Sequence, residues 1–223
     1  MIIGAIIQAR QTSSRLPDKV LKKIGNLTVI ELIIKRLSKL KTLDKIIVAI
    51  PENKKNQKLQ NLLVKKKISI FKGSENNVLD RYYKAAKHYK IDVIVRITAD
   101  CPLIDIRLIK KGLNIMKKNK YNFVSNTIIR TYPDGLDFSI FDYNLLEKRW
   151  LTKNDKKEKE HVTVKMKKHI KRKIYNIKNN NDYSKYRWTL DNEFDLDKIK
   201  KIYKSFKPNI YFTWKEILKR GYK

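Results

Sequence analysis

Three cations in the first twenty residues, Arg10, Arg15 and Lys19, follow directly on the largely apolar run Ile2 to Ala9 in the stretch MIIGAIIQARQTSSRLPDKVLK. A buried strand that opens into a cationic loop is a phosphate-binding layout, because ligands of open α/β sheets sit beyond the carboxyl ends of the strands. A guanidinium can grip two phosphate oxygens at once, while an ammonium acts as a mobile point charge. Pro17 stiffens the approach to Lys19. Two carboxylates hold comparable positions further on: Asp100 directly after DVIVRITA, and Asp191 directly after YRWTL. If both runs are strands, these acids converge over one edge of the sheet, where a hard cation such as Mg²⁺ finds oxygen ligands. Mg²⁺ commonly binds through one or two carboxylates plus substrate phosphates. Taken singly, each aspartate reads first as a cap for the helix or turn that follows it.

The elements that must position these residues are legible from periodicity. Thr28 and Glu31 form a capping box ahead of Ile30, Ile33, Ile34 and Leu37 at helical spacing. KIIVAI, ending at Pro51, predicts a second strand, and a polar helix near 54–66 buries Leu59, Leu62 and Leu63. ISIFKG predicts a third strand, followed by a helix whose apolar face is Val78, Leu79, Tyr82, Ala86 and Tyr89. DVIVRITADCP is the fourth strand and its turn. Strands alternating with helices imply βαβ units and a parallel sheet. Beyond about residue 120 the period changes. NFVSN, TYPDGLD and LDFSIF predict extended or antiparallel pieces, and Asp142 caps a helix carrying Leu145, Leu146 and Trp150. The charged stretch LTKNDKKEKEHVTVKMKKHIK predicts a mobile loop running into a helix. KIYNIK and YRWTL read as two more strands. A helix marked by Leu196, Ile199, Tyr203 and Phe206 follows, and a last helix is capped by Thr213 and Glu216.

Composition bounds the function. The chain has 223 residues, 42% hydrophobic, without an apolar stretch long enough to span a bilayer. The length suits one domain that buries roughly 70% of its unfolded surface. No secretory pattern opens the chain, which predicts a cytoplasmic protein. One cysteine, Cys101, excludes an intramolecular disulfide and a multi-cysteine metal site. His88 and His169 have no ligand spacing. The net charge of +31 would attract any polyanion, yet it lies mostly in lysines on helix faces without a nucleic-acid docking motif. No specific nucleic-acid partner is expected from it.

The ordered set QAR, SSRLP, KVL, GSE…VLDRY, TADCPL, YPDGLD, EHVT and LDNEFDL resembles the cytidylyltransferase family that includes the sialic acid and 3-deoxy-manno-octulosonate (KDO) activating enzymes. Within it, the set resembles the spore coat polysaccharide biosynthesis protein F branch. The resemblance covers nearly the whole chain. It implies an α/β protein with a three-layer αβα, Rossmann-like nucleotide-diphospho-sugar transferase fold, a mostly parallel sheet and one domain over 1–223. The implied reaction joins a sugar hydroxyl to the α-phosphate of CTP and releases pyrophosphate, with an acidic nonulosonic sugar as the expected acceptor, for surface polysaccharide or glycan biosynthesis. The resemblance makes Asp100 and Asp191 the ligands of a Mg²⁺ cofactor. Arg10 and Lys19 become the residues that hold the triphosphate, with Arg15 assisting. Ser74, Asp80 and Arg81 become base or ribose contacts, against the alternative of a locally capped helix start. Asp134 and Asp137 are implied to bond sugar hydroxyls. Glu160 and His161 face the acceptor, with His161 as contact or base, unless it is a surface histidine. Cys101 reads as a small buried residue. A homodimer contact is expected near 125–165.

The chain departs from the family pattern in three places. Asp18 stands where glycine is common, which predicts a looser loop and negative charge near the triphosphate. Gln11 and Thr12 occupy positions where the branch usually has a glycine. Ser139 stands where the branch often has glutamate. Two other readings are compatible with the sequence: the same chemistry with another nucleotide or a sugar phosphate acceptor, and a non-catalytic basic protein that binds nucleic acid or membrane.

Overall fold

A computed structural model describes residues 1–152, 155–166 and 173–222 of the chain. The first strand, β1 (Ile3–Gln8), carries Ala5, Ile6 and Ile7 with no exposed surface, because both faces of the sheet are covered here. It pairs in parallel with β4 (Lys45–Pro51) on one side and β6 (Val93–Thr98) on the other. β5 (Ser69–Gly73) extends the parallel set from β4. Past β6 the sheet continues through β8 (Ser139–Asp142), β7 (Phe123–Ser125) and β9 (Ile174–Asn176), giving seven strands in the order β5-β4-β1-β6-β8-β7-β9. Only β8 runs against its neighbours: it is antiparallel to both β6 and β7, while β7 and β9 are parallel. A small hairpin, β2 (Lys23–Ile24) with β3 (Leu27–Thr28), follows the first loop, and the sequence reading does not contain it.

Helices cover the sheet on both faces. α1 (Val29–Leu37), α2 (Gln57–Lys65) and α4 (Ile106–Asn119) share one core cluster with the last two helices of the chain, α7 (Glu193–Phe206) and α8 (Trp214–Lys219). α3 (Val78–His88) and α5 (Tyr143–Leu151) pack into a second cluster with Ile6, Ile94, Phe123 and Phe141. The three-layer αβα architecture with a mostly parallel sheet is therefore the one expected. The capping boxes at Thr28 and Thr213 and the Asp142 cap are in place. Among the described residues, no helix is long and apolar enough to cross a membrane.

Two expectations need correction. YRWTL is not a strand; it makes one isolated parallel bridge, Asp134 with Arg187. Its backbone groups are satisfied by the 134 loop and by Asp100 rather than by a ladder: Trp188 N donates to Asp134 O at 2.6 Å and Leu190 N to Asp100 O at 2.8 Å. In the charged stretch after α5, Lys156–His161 forms a short helix, α6, capped by Asp155. The side chain of Glu158 is buried, bridging Arg149 at 2.9 Å and Lys165. Residues 153–154 and 167–171 of that stretch lie outside the described residues.

Candidate active site

The loops after β1, β5 and β6 leave the sheet at one edge, and together with α6 and Asp191 they enclose a cavity of about 810 Å³. Arg10, Arg15, Lys19, Arg81, Asp100, Glu160, His161 and Asp191 line it. A second, smaller cavity of about 240 Å³ adjoins it, with Arg130, Asp137 and Ser139 in its wall; Arg96 and His161 line both. Three residues singled out by sequence line neither. Ser74 is exposed; its hydroxyl accepts from Asn77 N at 3.1 Å, a local cap before α3, and its carbonyl accepts from Arg81 Nη1 at 2.6 Å. Asp80 accepts from Trp150 Nε1 at 2.8 Å and pairs with Lys84 at 2.9 Å. Asp134 accepts from Arg187 Nη1 at 2.9 Å and lies 3.3 Å from Arg130.

The first loop is held by Gln11, which is buried although glycine is usual nearby. Its Oε1 accepts from Leu59 N at 2.7 Å near the start of α2, and its Nε2 donates to Asp18 Oδ1 at 2.9 Å. Its own N donates to Asn56 Oδ1 at 2.9 Å. Asp18 has φ +56°, the left-handed region that explains the preference for glycine and that aspartate tolerates better than most residues. Its carboxylate is thus engaged by an amide, and Asp18 is absent from the cavity wall. Thr12 Oγ1 donates to Glu75 Oε1 at 2.8 Å and Asn53 Nδ2 to Glu75 Oε2 at 2.6 Å, tying the first loop to those after β4 and β5.

The two aspartates meet at Lys19. Its Nζ donates to Asp191 Oδ1 at 3.1 Å and to Leu190 O at 2.9 Å, and lies 3.8 Å from Asp100 Oδ2. The bond from Leu190 N to Asp100 O fixes the two acid-bearing segments side by side. Arg15 Nη2 reaches Asp191 Oδ1 at 2.9 Å, and Arg187 Nη2 donates to Asp191 Oδ2 at 2.7 Å. Burial acts to raise the Asp191 carboxyl, but the bonds from Arg187 and Lys19 and the charges of Lys19 and Arg15 outweigh it and hold the group below its ordinary range. Two carboxylates aimed at one cationic position suit a divalent ion that takes its remaining oxygens from water and phosphate. The donor set therefore fits Mg²⁺, with Lys19 Nζ marking where a cation is favoured.

Deeper in the cavity, Arg81 is buried and its Nε has no hydrogen-bond partner. Burial pulls its guanidinium below its usual value, and the charge of Arg10 adds to this. Cys101 is buried against Thr98 and Asp100, and burial pushes its thiol well up, as suits a small core residue.

The YPDGLD loop approaches the backbone of Trp188 and Thr189 closely. Gly135 has φ +106°, and a Cβ there would lie 2.5 Å from the Trp188 carbonyl carbon. Arg130 grips Asp137 through two bonds of 2.5 and 2.6 Å. Sequence reasoning missed Arg130, Arg187 and Arg96. The last did leave a signal, being a lone cation inside the apolar strand VIVRIT.

The seven-stranded, mostly parallel sheet with one antiparallel strand, β8, carries paired aspartates and cationic loops at one edge, the architecture of the nucleotidyltransferase fold. A sequence profile of the cytidylyltransferase family matches residues 4–217, and the chain belongs to that family. The chain is similar to a cytidylyltransferase structure from Leptospira borgpetersenii serovar Hardjo-bovis, with TM-score 0.93, 32% identity, and coverage of 99% of this chain and 93% of that one. It is 29% identical over 209 residues to the spore coat polysaccharide biosynthesis protein SpsF of Bacillus subtilis, covering 89% of this chain and 85% of that protein. It is 44% identical over 162 residues, 73% of this chain, to the uncharacterized protein MJ1063 of Methanocaldococcus jannaschii, a match that spans only 65% of that protein's length. The structure of a CMP-KDO synthetase complexed with CTP shares the fold, with TM-score 0.70 at 14% identity over 92% of this chain and 99% of that one.

Proposed function

We propose that this chain transfers a cytidylyl group from CTP to the hydroxyl of an acidic sugar, forming a CMP-sugar and pyrophosphate for surface polysaccharide or glycan biosynthesis. The observation that carries the reading is the meeting of Asp100 and Asp191 at one cationic position in a cavity whose wall also holds Arg10, Arg15, Lys19 and Arg81. The family and the names of the relatives supply CTP and the sugar. In the reaction, the acceptor oxygen bonds to the α-phosphorus as the bond to the bridging oxygen of pyrophosphate breaks. Asp100 and Asp191 would hold Mg²⁺, which when bound neutralises phosphate oxygens. Arg10, Arg15 and Lys19 bind the triphosphate and stabilise the charge that collects on departing pyrophosphate. His161, which lines both cavities, would contact the acceptor or take its hydroxyl proton on a ring nitrogen. The excess of basic residues favours both anionic substrates.

The test is pyrophosphate release from CTP, UTP, GTP and ATP with a panel of sugar acids and sugar phosphates, with and without Mg²⁺. Release confined to CTP with a sugar acid and Mg²⁺ is the expected outcome. Release from UTP with a sugar phosphate would keep the enzyme class and change both substrates. Salt-sensitive binding of nucleic acid without any pyrophosphate release would replace the enzyme reading altogether.

A further inference from the structure

We infer that Arg96 is the residue that selects the acceptor, by pairing with a carboxylate on the sugar. The inference rests on the nucleotidyl-transfer reading for the meaning of the two cavities, and on Arg96's surroundings for the rest. Arg96 stands in β6 with its side chain at the seam, lining both the larger cavity and the smaller one beside it. Its Nη2 donates to the neutral amide of Gln8 at 3.0 Å. Its Nε is buried without a hydrogen-bond partner, and among the described residues no carboxylate pairs with it. A buried, unpaired guanidinium nitrogen is costly unless something arrives to satisfy it.

The smaller cavity explains what arrives. Its other arginine, Arg130, is consumed by the two-bond grip on Asp137 and by Asp134 at 3.3 Å. Directly across the β6–β8 ladder from Arg96 stands Ser139, whose hydroxyl meets that of Ser125 at 3.0 Å. An acid at that register would neutralise Arg96; a serine leaves its charge available. The smaller cavity, at about 240 Å³, lies below the roughly 300–1,000 Å³ of pockets for drug-sized ligands, which suits a single sugar ring. One unpaired guanidinium matches the single charge of a planar carboxylate better than a phosphate monoester, which carries about −1.5 to −2 and asks for more cations. Arg10 and Arg81 line the larger cavity and not the smaller one.

The experiment is isothermal titration calorimetry of the full chain, without nucleotide, using N-acetylneuraminate and KDO, the methyl ester of each, and glucose 1-phosphate as probes. At least one acid should bind about tenfold or more tighter than its own ester, as a charge-assisted pair implies, and tighter than glucose 1-phosphate. Arg96→Gln should erase the preference for acid over ester while leaving the ester's affinity in place, and Arg96→Lys should restore part of it. Equal binding of acid and ester by the wild type, binding of neither acid, or a preference that survives in Arg96→Gln overturns the assignment. If Arg96→Gln does not fold, the wild-type comparison of acid with ester decides alone. Thermal stabilisation by CTP in the same samples separates the two readings. CTP binding without acid preference removes Arg96's role only, whereas acid preference without CTP binding removes the nucleotide assignment.

Discussion

The two halves of the sheet solve the same problem differently. On the β5-β4-β1-β6 side, parallel strands deliver backbone loops to one edge, and polar side chains tie those loops to each other: Gln11 to Asp18 and Leu59, and Glu75 to Thr12 and Asn53. On the β8-β7-β9 side, the strands are three or four residues long and the loops are tied by charge, through Arg130 with Asp137 and Arg187 with Asp134. Hydrogen bonds on buried and partly buried atoms make this the more rigid side. Ion pairs at partly exposed positions hold a wall whose composition is more readily exchanged than buried ties, the two-bond Arg130–Asp137 grip being the strongest of them. Under the proposed function, the contrast assigns the nucleotide loops to the rigid side and the Arg130 wall of the acceptor cavity to the exchangeable side, with Arg96 of β6 at the seam between them.

The comparison can be broken most directly where the halves meet. Asp100→Asn and Asp191→Asn should each lower pyrophosphate release by about a hundredfold or more while circular dichroism melts show an intact fold; near-normal turnover at limiting Mg²⁺ would remove that aspartate as a ligand. On the rigid side, Gln11→Ala strips the partners from Leu59 N and the Asp18 carboxylate. It should cost about 1–3 kcal/mol in urea unfolding and raise the KM for CTP, with the acceptor KM unchanged. On the exchangeable side, Arg130→Leu should do the reverse, raising the acceptor KM severalfold with little change in stability or in the KM for CTP. If both variants move both constants together, the halves are not independent.

The smallest effect expected is on pH. Because Asp191's folded pKa lies below its unfolded value, its pairs contribute stability fully above about pH 4, and that contribution is lost as pH falls through the folded value. Asp191→Asn should therefore lower stability slightly across the neutral region, with the difference from wild type vanishing at acid pH, so that the acid limb of a plot of stability against pH is flatter.

The legibility of the chain follows the same division. The parallel strands and their helices declare themselves through continuous apolar runs and capping boxes such as Thr28 with Glu31, which are local signals. β8 does not, because four residues, SIFD, cannot state that they will insert antiparallel beside β6. YRWTL has strand composition, yet its partners are a loop some fifty residues earlier and Asp100, and nothing local marks that choice. Asp100, Asp191, Arg10 and Lys19 could be placed at one edge from the sequence because each follows an apolar run. Arg187 could not, since its meaning lies in bonds to Asp134, Asp191 and Asp195 that form only after the 134 loop has folded over it. Asp80 shows the opposite case: its motif allowed a ligand contact or a local role, and in the fold it lies outside the cavity wall, held by Trp150 and Lys84.

Lys19 carries one more consequence. With its ammonium lodged between Asp100 and Asp191, the protein supplies its own counterion, and the pair of acids is not left as a repelling knot when no divalent ion is bound. Folding should then be indifferent to chelators: EDTA should leave the melting temperature of the ligand-free protein unchanged. Demand for a divalent ion should begin only when a triphosphate enters and draws the lysine toward its own charge.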